Sequence, residues 1–123
     1  MRRILIVDDE PDILDLAKIT LLSGGYEVLT AASGEEAMPI VIDKNPTLVI
    51  LDVVLPGVSG LEICRRLRRD PRTRGIKVIL FTALGTEVDM MLEKKDKADG
   101  YLAKPFLRND LLALTLKLLG PER

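Results

Sequence analysis

Residues 4–10 read ILIVDDE, four branched or aliphatic side chains running straight into three carboxylates. The apolar run is short and does not alternate, the pattern of a strand buried on both faces of a parallel sheet. It is read as the central buried strand. Its abrupt end sets acids at one edge of that sheet, which strand termination alone does not require. Two more runs repeat the pattern, at 48–51 and 78–81, and two weaker ones, YEVLTA (26–31) and GYLAK (100–104), fit edge strands.

The stretches between these runs carry helical period. PDILDLAKITLLSGG opens with Pro11 in its first turn and stops at Gly24-Gly25. Ser33 with Glu36 forms a capping box before the second helix, and Pro39 falls inside it, where a lost backbone bond should kink or shorten the helix. Ser59 caps a third helix whose stripe is Leu61, Ile63, Cys64 and Leu67, ending at Asp70-Pro71. TEVDMMLEKKDKAD (86–99) reads as a fourth helix with a thin apolar face, and hence as a comparatively mobile one. LRNDLLALTLKLLG closes the chain as a leucine-rich fifth helix, with Leu107 in place of a polar cap and Gly120-Pro121 at its end.

Strand–helix units repeated five times with short connections predict an α/β fold, a parallel sheet with helices on both faces and right-handed crossovers. At 123 residues the chain suits one domain, over 1–120, with a tail at 121–123. A net charge of −1 provides no global field for nucleic acid or anionic membrane. Six arginines do cluster between Arg65 and Arg74, but without interleaved aromatics they read as a solvated helix end and loop. The single cysteine, Cys64, excludes an internal disulfide and reads as a buried, inert thiol. No apolar stretch reaches a membrane span, the amino terminus turns acidic too soon for a signal peptide, and a cytosolic protein is expected. The chain has no histidine, so it carries no histidine metal site and no phosphohistidine of its own.

Ligands of open parallel sheets bind beyond the carboxyl ends of the strands. Those ends deliver Asp8, Asp9 and Glu10 after the first strand, Asp52 after the third, Thr82 after the fourth and Lys104 after the fifth. Each has a plain structural reading. Asp8-Asp9 could cap the first helix, Asp52 could end a strand before the Pro56-Gly57 turn, Thr82 suits a strand, and Lys104-Pro105 suits a surface turn. Their convergence on one edge weighs against four separate accidents. Two like charges about 4 Å apart repel by roughly 4 kcal/mol at an effective dielectric near 20, so clustered carboxylates call for a cation. Carboxylate oxygens suit Mg2+, and a Mg2+ beside Asp52 would neutralise charge on a transferring phosphoryl group. Lys104 could pair with that group and Thr82 could donate to it.

VDDEP, LDVVLPGVSGLE, FTAL and YLAKPF, with thirty positions from Asp52 to Thr82 and fifty-two from Asp52 to Lys104, make the chain resemble a response-regulator receiver domain of two-component signalling. The resemblance spans almost the whole length. It implies a flavodoxin-like (βα)5 three-layer sandwich with strand order 2-1-3-4-5. It also implies that Asp52 accepts a phosphoryl group from a phosphohistidine on a sensor histidine kinase or histidine phosphotransfer protein. Under it Asp9, Asp52 and the Val54 carbonyl ligate Mg2+ directly, and Asp8 does so mainly through water. Glu10 is left as a cap or outer group. Thr82 and Lys104 contact the phosphoryl oxygens, Tyr101 turns inward with Thr82 as a switch, and the bond before Pro105 is often cis. The output surface is the face made by the fourth helix, fifth strand and fifth helix, which would meet an output domain or downstream protein.

Four features depart from the usual pattern. Val54 and Leu84 are apolar where polar groups would orient water, so slow self-dephosphorylation is expected. Lys97 stands where a helix-ending glycine is common, and Leu107 lacks a capping oxygen. The leucines of the last helix exceed one buried stripe, which fits either a homodimer or output contact or a wide core face. Three competing readings remain: a receiver cut from a larger regulator or hybrid kinase, a phosphorylation-independent interaction module, and a nucleotide- or flavin-binding protein. The loop DDEPD has no glycine-rich phosphate cradle, which disfavours the last.

Overall fold

The computed structural model describes residues 2–83 and 91–121. Its strands are β1 (Arg3–Val7), β2 (Glu27–Ala31), β3 (Leu48–Asp52), β4 (Lys77–Thr82) and β5 (Gly100–Ala103). The helices are α1 (Pro11–Ser23), α2 (Gly34–Lys44), α3 (Gly60–Arg69) and α4 (Arg108–Leu119). All strand pairings are parallel, in the order β2-β1-β3-β4-β5. This is the expected doubly wound sheet, with β2 and β5 at its edges. The middle place belongs to β3 rather than β1, because the chain leaves β1 for β2 and returns past it.

Alternation along the buried strands sorts the core into two layers. Leu5, Val7, Val49, Leu51, Val78 and Leu80 pack on Ala37 and Val41 of α2 and on Ile63, Cys64 and Leu67 of α3. Ile4, Ile6, Leu48, Ile50, Ile79 and Phe81 pack on Ala17 and Leu21 of α1 and Leu111 of α4. Phe81 and Phe106 stack with ring centroids 5.0 Å apart. Fully burying each such side chain is worth about 1.5–3 kcal/mol, so these strands tolerate no polar replacement. Cys64 lies in the first layer, its thiol donating to the Asp96 carbonyl at 3.3 Å, and burial pushes its pKa up to about 11.

The caps follow the residues that predict them. Pro11 occupies the first turn of α1, and Ser59 Oγ accepts from Glu62 N at 3.2 Å. Ser33 Oγ accepts from Glu36 N at 3.2 Å, while the returning Glu36 carboxylate takes the N–H of Ala32 rather than of Ser33. Leu107 precedes α4 with no side-chain cap. α2 runs unbroken through Pro39, against the expected shortening. Pro39 is on the exposed side, where the freed carbonyl one turn back can be hydrated.

The helix expected over 86–99 is corrected in its second half. Residues 84–90, which include Leu84 and Val88, lie outside the described residues. From Met91 onward the chain forms turns and one short 3-10 turn, Lys94–Asp96, flanked by extended Glu93 and Lys97. Lys97 has φ −66°, so no glycine is needed there. Of its apolar residues Leu92 is buried while Met91 is exposed, too little to hold a helix against the core.

Polar contacts from α3 hold this segment instead, which also corrects the reading of the arginines as merely solvated. Asp96, with no exposed side-chain surface, takes Arg69 Nη2 at 2.8 Å and Arg69 Nε at 3.1 Å, with Arg65 Nε at 3.8 Å. Arg68 binds Asp99 and the carbonyls of Lys97 and Ile76. Asp99 also accepts from Val78 N at 2.8 Å, tying the segment to the start of β4. Arg65 and Arg66 share Glu62, and Arg72 pairs with Asp70. Most of the expected leucine surplus of α4 is core: Leu111 is buried, Leu112, Leu114, Leu118 and Leu119 pack against it, and only Leu116 within the helix and Leu107 before it are well exposed.

Candidate functional site

Register decides which side chains meet. Val7 is level with Leu51 and Thr82 with Ala103, so the next residues, Asp8 and Lys104, extend past the same edge as Asp52 and Thr82. Asp8 and Asp52 flank the gap between β1 and β3, where the strand order reverses.

Lys104 Nζ is the hub. It lies 2.8 Å from Asp52 Oδ2, 2.7 Å from Asp8 Oδ2 and 3.2 Å from Glu10 Oε1. One ammonium with three protons thus faces three carboxylates. Burial opposes its charge, but pairing with the Asp52, Asp8 and Glu10 carboxylates outweighs burial and raises its pKa. It stays protonated through the neutral range. The peptide bond from Lys104 to Pro105 is cis, as the resemblance implied.

Asp8 is fully buried and Asp52 nearly so. Burial pushes the Asp8 carboxyl above its ordinary value, with Lys104 and the Glu10 backbone N–H pulling the other way. Asp8 Oδ1 accepts that N–H at 2.9 Å. Asp8 Oδ2 pairs with the Lys104 ammonium at 2.7 Å and, among the described residues, has no other donor. One oxygen from each of Asp8, Glu10 and Asp52 lies within 4.8 Å of the others, a set able to surround a small cation. Asp52 Oδ1 accepts Val54 N at 3.1 Å, and the Val54 side chain is exposed.

Of the residues predicted from sequence, Asp8, Asp52 and Lys104 come together, and Thr82 is buried at the end of β4 beside them. Asp9 is exposed and outside the three-oxygen group, whereas Glu10 is inside it. Tyr101 on β5 is half-buried against the α2–α3 layer of the core.

Sequence reasoning missed Gly60. A Cβ there would lie 2.0 Å from the Asp52 carbonyl oxygen, and Gly60 N donates to Val53 O at 2.9 Å. α3 therefore starts directly under the acid-bearing end of β3, which only glycine permits. The available signal was a glycine placed just after the Ser59 cap, where most residues make better helix. The preceding turn uses Gly57 at φ +71°. A hollow of about 520 Å³ lined by Arg2, Thr47 and Lys77 opens at the opposite edge of the sheet and holds none of these acids.

Comparison with known proteins agrees with this fold. The chain is 44% identical over 119 residues to the DNA-binding dual master transcriptional regulator RpaA of Synechocystis, covering 97% of this chain and 49% of RpaA. It spans about half the length of the curated relatives it matches. Its fold superposes with TM-score 0.89 on chemotaxis response regulator CheY4 of Vibrio cholerae, at 30% identity and covering 97% and 99% of the two chains. It superposes with TM-score 0.86 on response regulator TrrA of Thermotoga maritima, solved in complex with Mg2+-BeF, at 42% identity over 97% of this chain and all of that one. A family model described as the response regulator receiver domain matches residues 4–116, and the chain belongs to that family of two-component receivers.

Proposed function

We propose that this receiver accepts a phosphoryl group on Asp52 from a phosphohistidine of a partner histidine kinase or phosphotransfer protein, in a Mg2+-dependent reaction. The observation that carries the reading is a group of three carboxylates, two of them buried, that share the single ammonium of Lys104. Such an arrangement is costly without a divalent cation and fits one. The Mg2+-BeF complex of TrrA supports the same choice of ion.

Asp52 and Asp9, with the Val54 carbonyl, would hold the ion directly and Asp8 through water; Glu10 stands near enough to join them. When bound, Mg2+ supplies charge neutralisation for the phosphoryl oxygens. The chain's own groups do the rest. Asp52 is the nucleophile, its Oδ1 steadied by Val54 N. Lys104, held protonated, pairs with the phosphoryl dianion. Thr82 donates its hydroxyl to the same group and draws Tyr101 inward, altering the face that includes β5 and α4. Val54 and Leu84 give water no orienting partner, so the aspartyl phosphate persists.

Phosphotransfer from a histidine kinase autophosphorylated with labelled ATP tests this reading. Label should move to the native chain, not to Asp52→Ala, and EDTA should block the transfer. Equal labelling of Asp52→Ala would refute it.

The half-length match to a DNA-binding regulator favours a second reading, in which this receiver controls a DNA-binding output module. Among the described residues no helix is long and apolar enough to cross a membrane.

A further inference from the structure

Three carboxylates crowd the Lys104 ammonium within 3.2 Å, so an incoming phosphoryl group competes with them for it. The three are not equal. Asp8 and Asp52 are buried and lie 2.7 and 2.8 Å away, whereas Glu10 lies 3.2 Å away with a side chain 60% exposed. Glu10 is also anchored differently: it is the residue before α1, and its carboxylate makes no capping bond to the helix. Its reach to Lys104 is therefore a side-chain choice rather than a structural need.

We infer that Glu10 is the exchangeable partner of Lys104, a positioning and selectivity residue that holds the ammonium in the resting state and repels free anionic phosphoryl donors at the mouth of the site. This rests on Asp52 being the acceptor. In the reaction an Asp52 carboxylate oxygen bonds to phosphorus as the bond from phosphorus to the donor breaks. The bonding pair leaves with acetate when acetyl phosphate is the donor, and with ammonia, whose nitrogen is already protonated, when phosphoramidate is. Before that step Lys104 must turn from Glu10 to the donor, and Glu10 opposes a dianion more than a singly charged donor. A donor carried on a docked protein has its approach organised by the protein contact and is less exposed to this penalty.

The test uses the full chain at saturating Mg2+ and compares native protein, Glu10→Gln and Glu10→Asp with acetyl phosphate and phosphoramidate. Intact mass follows the phosphorylated fraction and gives second-order rate constants. Glu10→Gln should accelerate reaction with acetyl phosphate by about three- to tenfold, less with phosphoramidate, and the gain should shrink as salt is raised. Glu10→Asp, which keeps the charge, should stay near the native rate. Equal or slower reaction of Glu10→Gln with acetyl phosphate, or the same gain for both donors, would overturn the inference while leaving Asp52 as acceptor. Native protein that takes phosphate from neither donor would overturn both.

Discussion

Lys104 Nζ lies 2.8 Å from Asp52 Oδ2 although the two residues are 52 positions apart in the chain. The same ammonium is within 3.2 Å of Asp8 and Glu10, so it is the only cation among the described residues holding those acids together. Lys104→Ala should therefore destabilise the metal-free protein by about 1–3 kcal/mol, since it leaves buried carboxylates uncompensated. Added Mg2+ should raise the melting temperature of the variant more than that of the native chain. Urea unfolding with and without Mg2+ checks both, and identical metal-free stability would contradict them.

Gly60 is a steric requirement rather than a flexible spacer. A methyl group there would sit against the Asp52 carbonyl, so Gly60→Ala must move either β3 or the start of α3. A loss of about 1–3 kcal/mol is expected, the range for overpacking a tight site, together with slower phosphorylation. A variant as stable and as active as the native chain would show that the close approach is not needed.

The Asp96 carboxyl should give a visible acid limb. Hydrogen bonding from Arg69 holds its pKa below the usual carboxylate value, with burial opposing more weakly. A depressed folded-state pKa stabilises above the unfolded value near 3.8 and loses that contribution as pH falls through the folded value. Asp96→Asn should accordingly lower the melting temperature at neutral pH. The difference from native should narrow as the pH drops below about 4. A gap that stays constant from pH 7 to pH 3 would rule out this origin.

Much of this was legible in the sequence because buried parallel strands write themselves as unbroken apolar runs. ILIV, LVIL and VILF located three strands, and the residues after them located the acids, the hydroxyl and the amine. The stretch 91–99 was misread because its stability comes from Arg65, Arg68 and Arg69 of α3, and helical period carries no trace of such ion pairs. Pro39 was overweighted because its penalty depends on whether the freed carbonyl faces water. Glu10 and Gly60 were undervalued for one reason: their roles depend on distances to residues remote in sequence, Lys104 and Asp52.

Apolar Val54 and Leu84 predict a long-lived aspartyl phosphate. Replacing both with polar residues, Val54→Asn with Leu84→Glu, should shorten its lifetime several-fold. Decay followed by intact mass after removal of the donor measures this directly. An unchanged lifetime would remove water orientation at these positions from the account.

The central claim is that Asp52 is the nucleophile of a Mg2+-dependent phosphoryl transfer. Incubation of the full chain with acetyl phosphate and Mg2+, followed by intact mass measurement, tests it with no partner protein. A gain of one phosphoryl group that vanishes in Asp52→Ala and in EDTA is expected. A native chain that gains none, or an Asp52→Ala variant that gains as much, would contradict it.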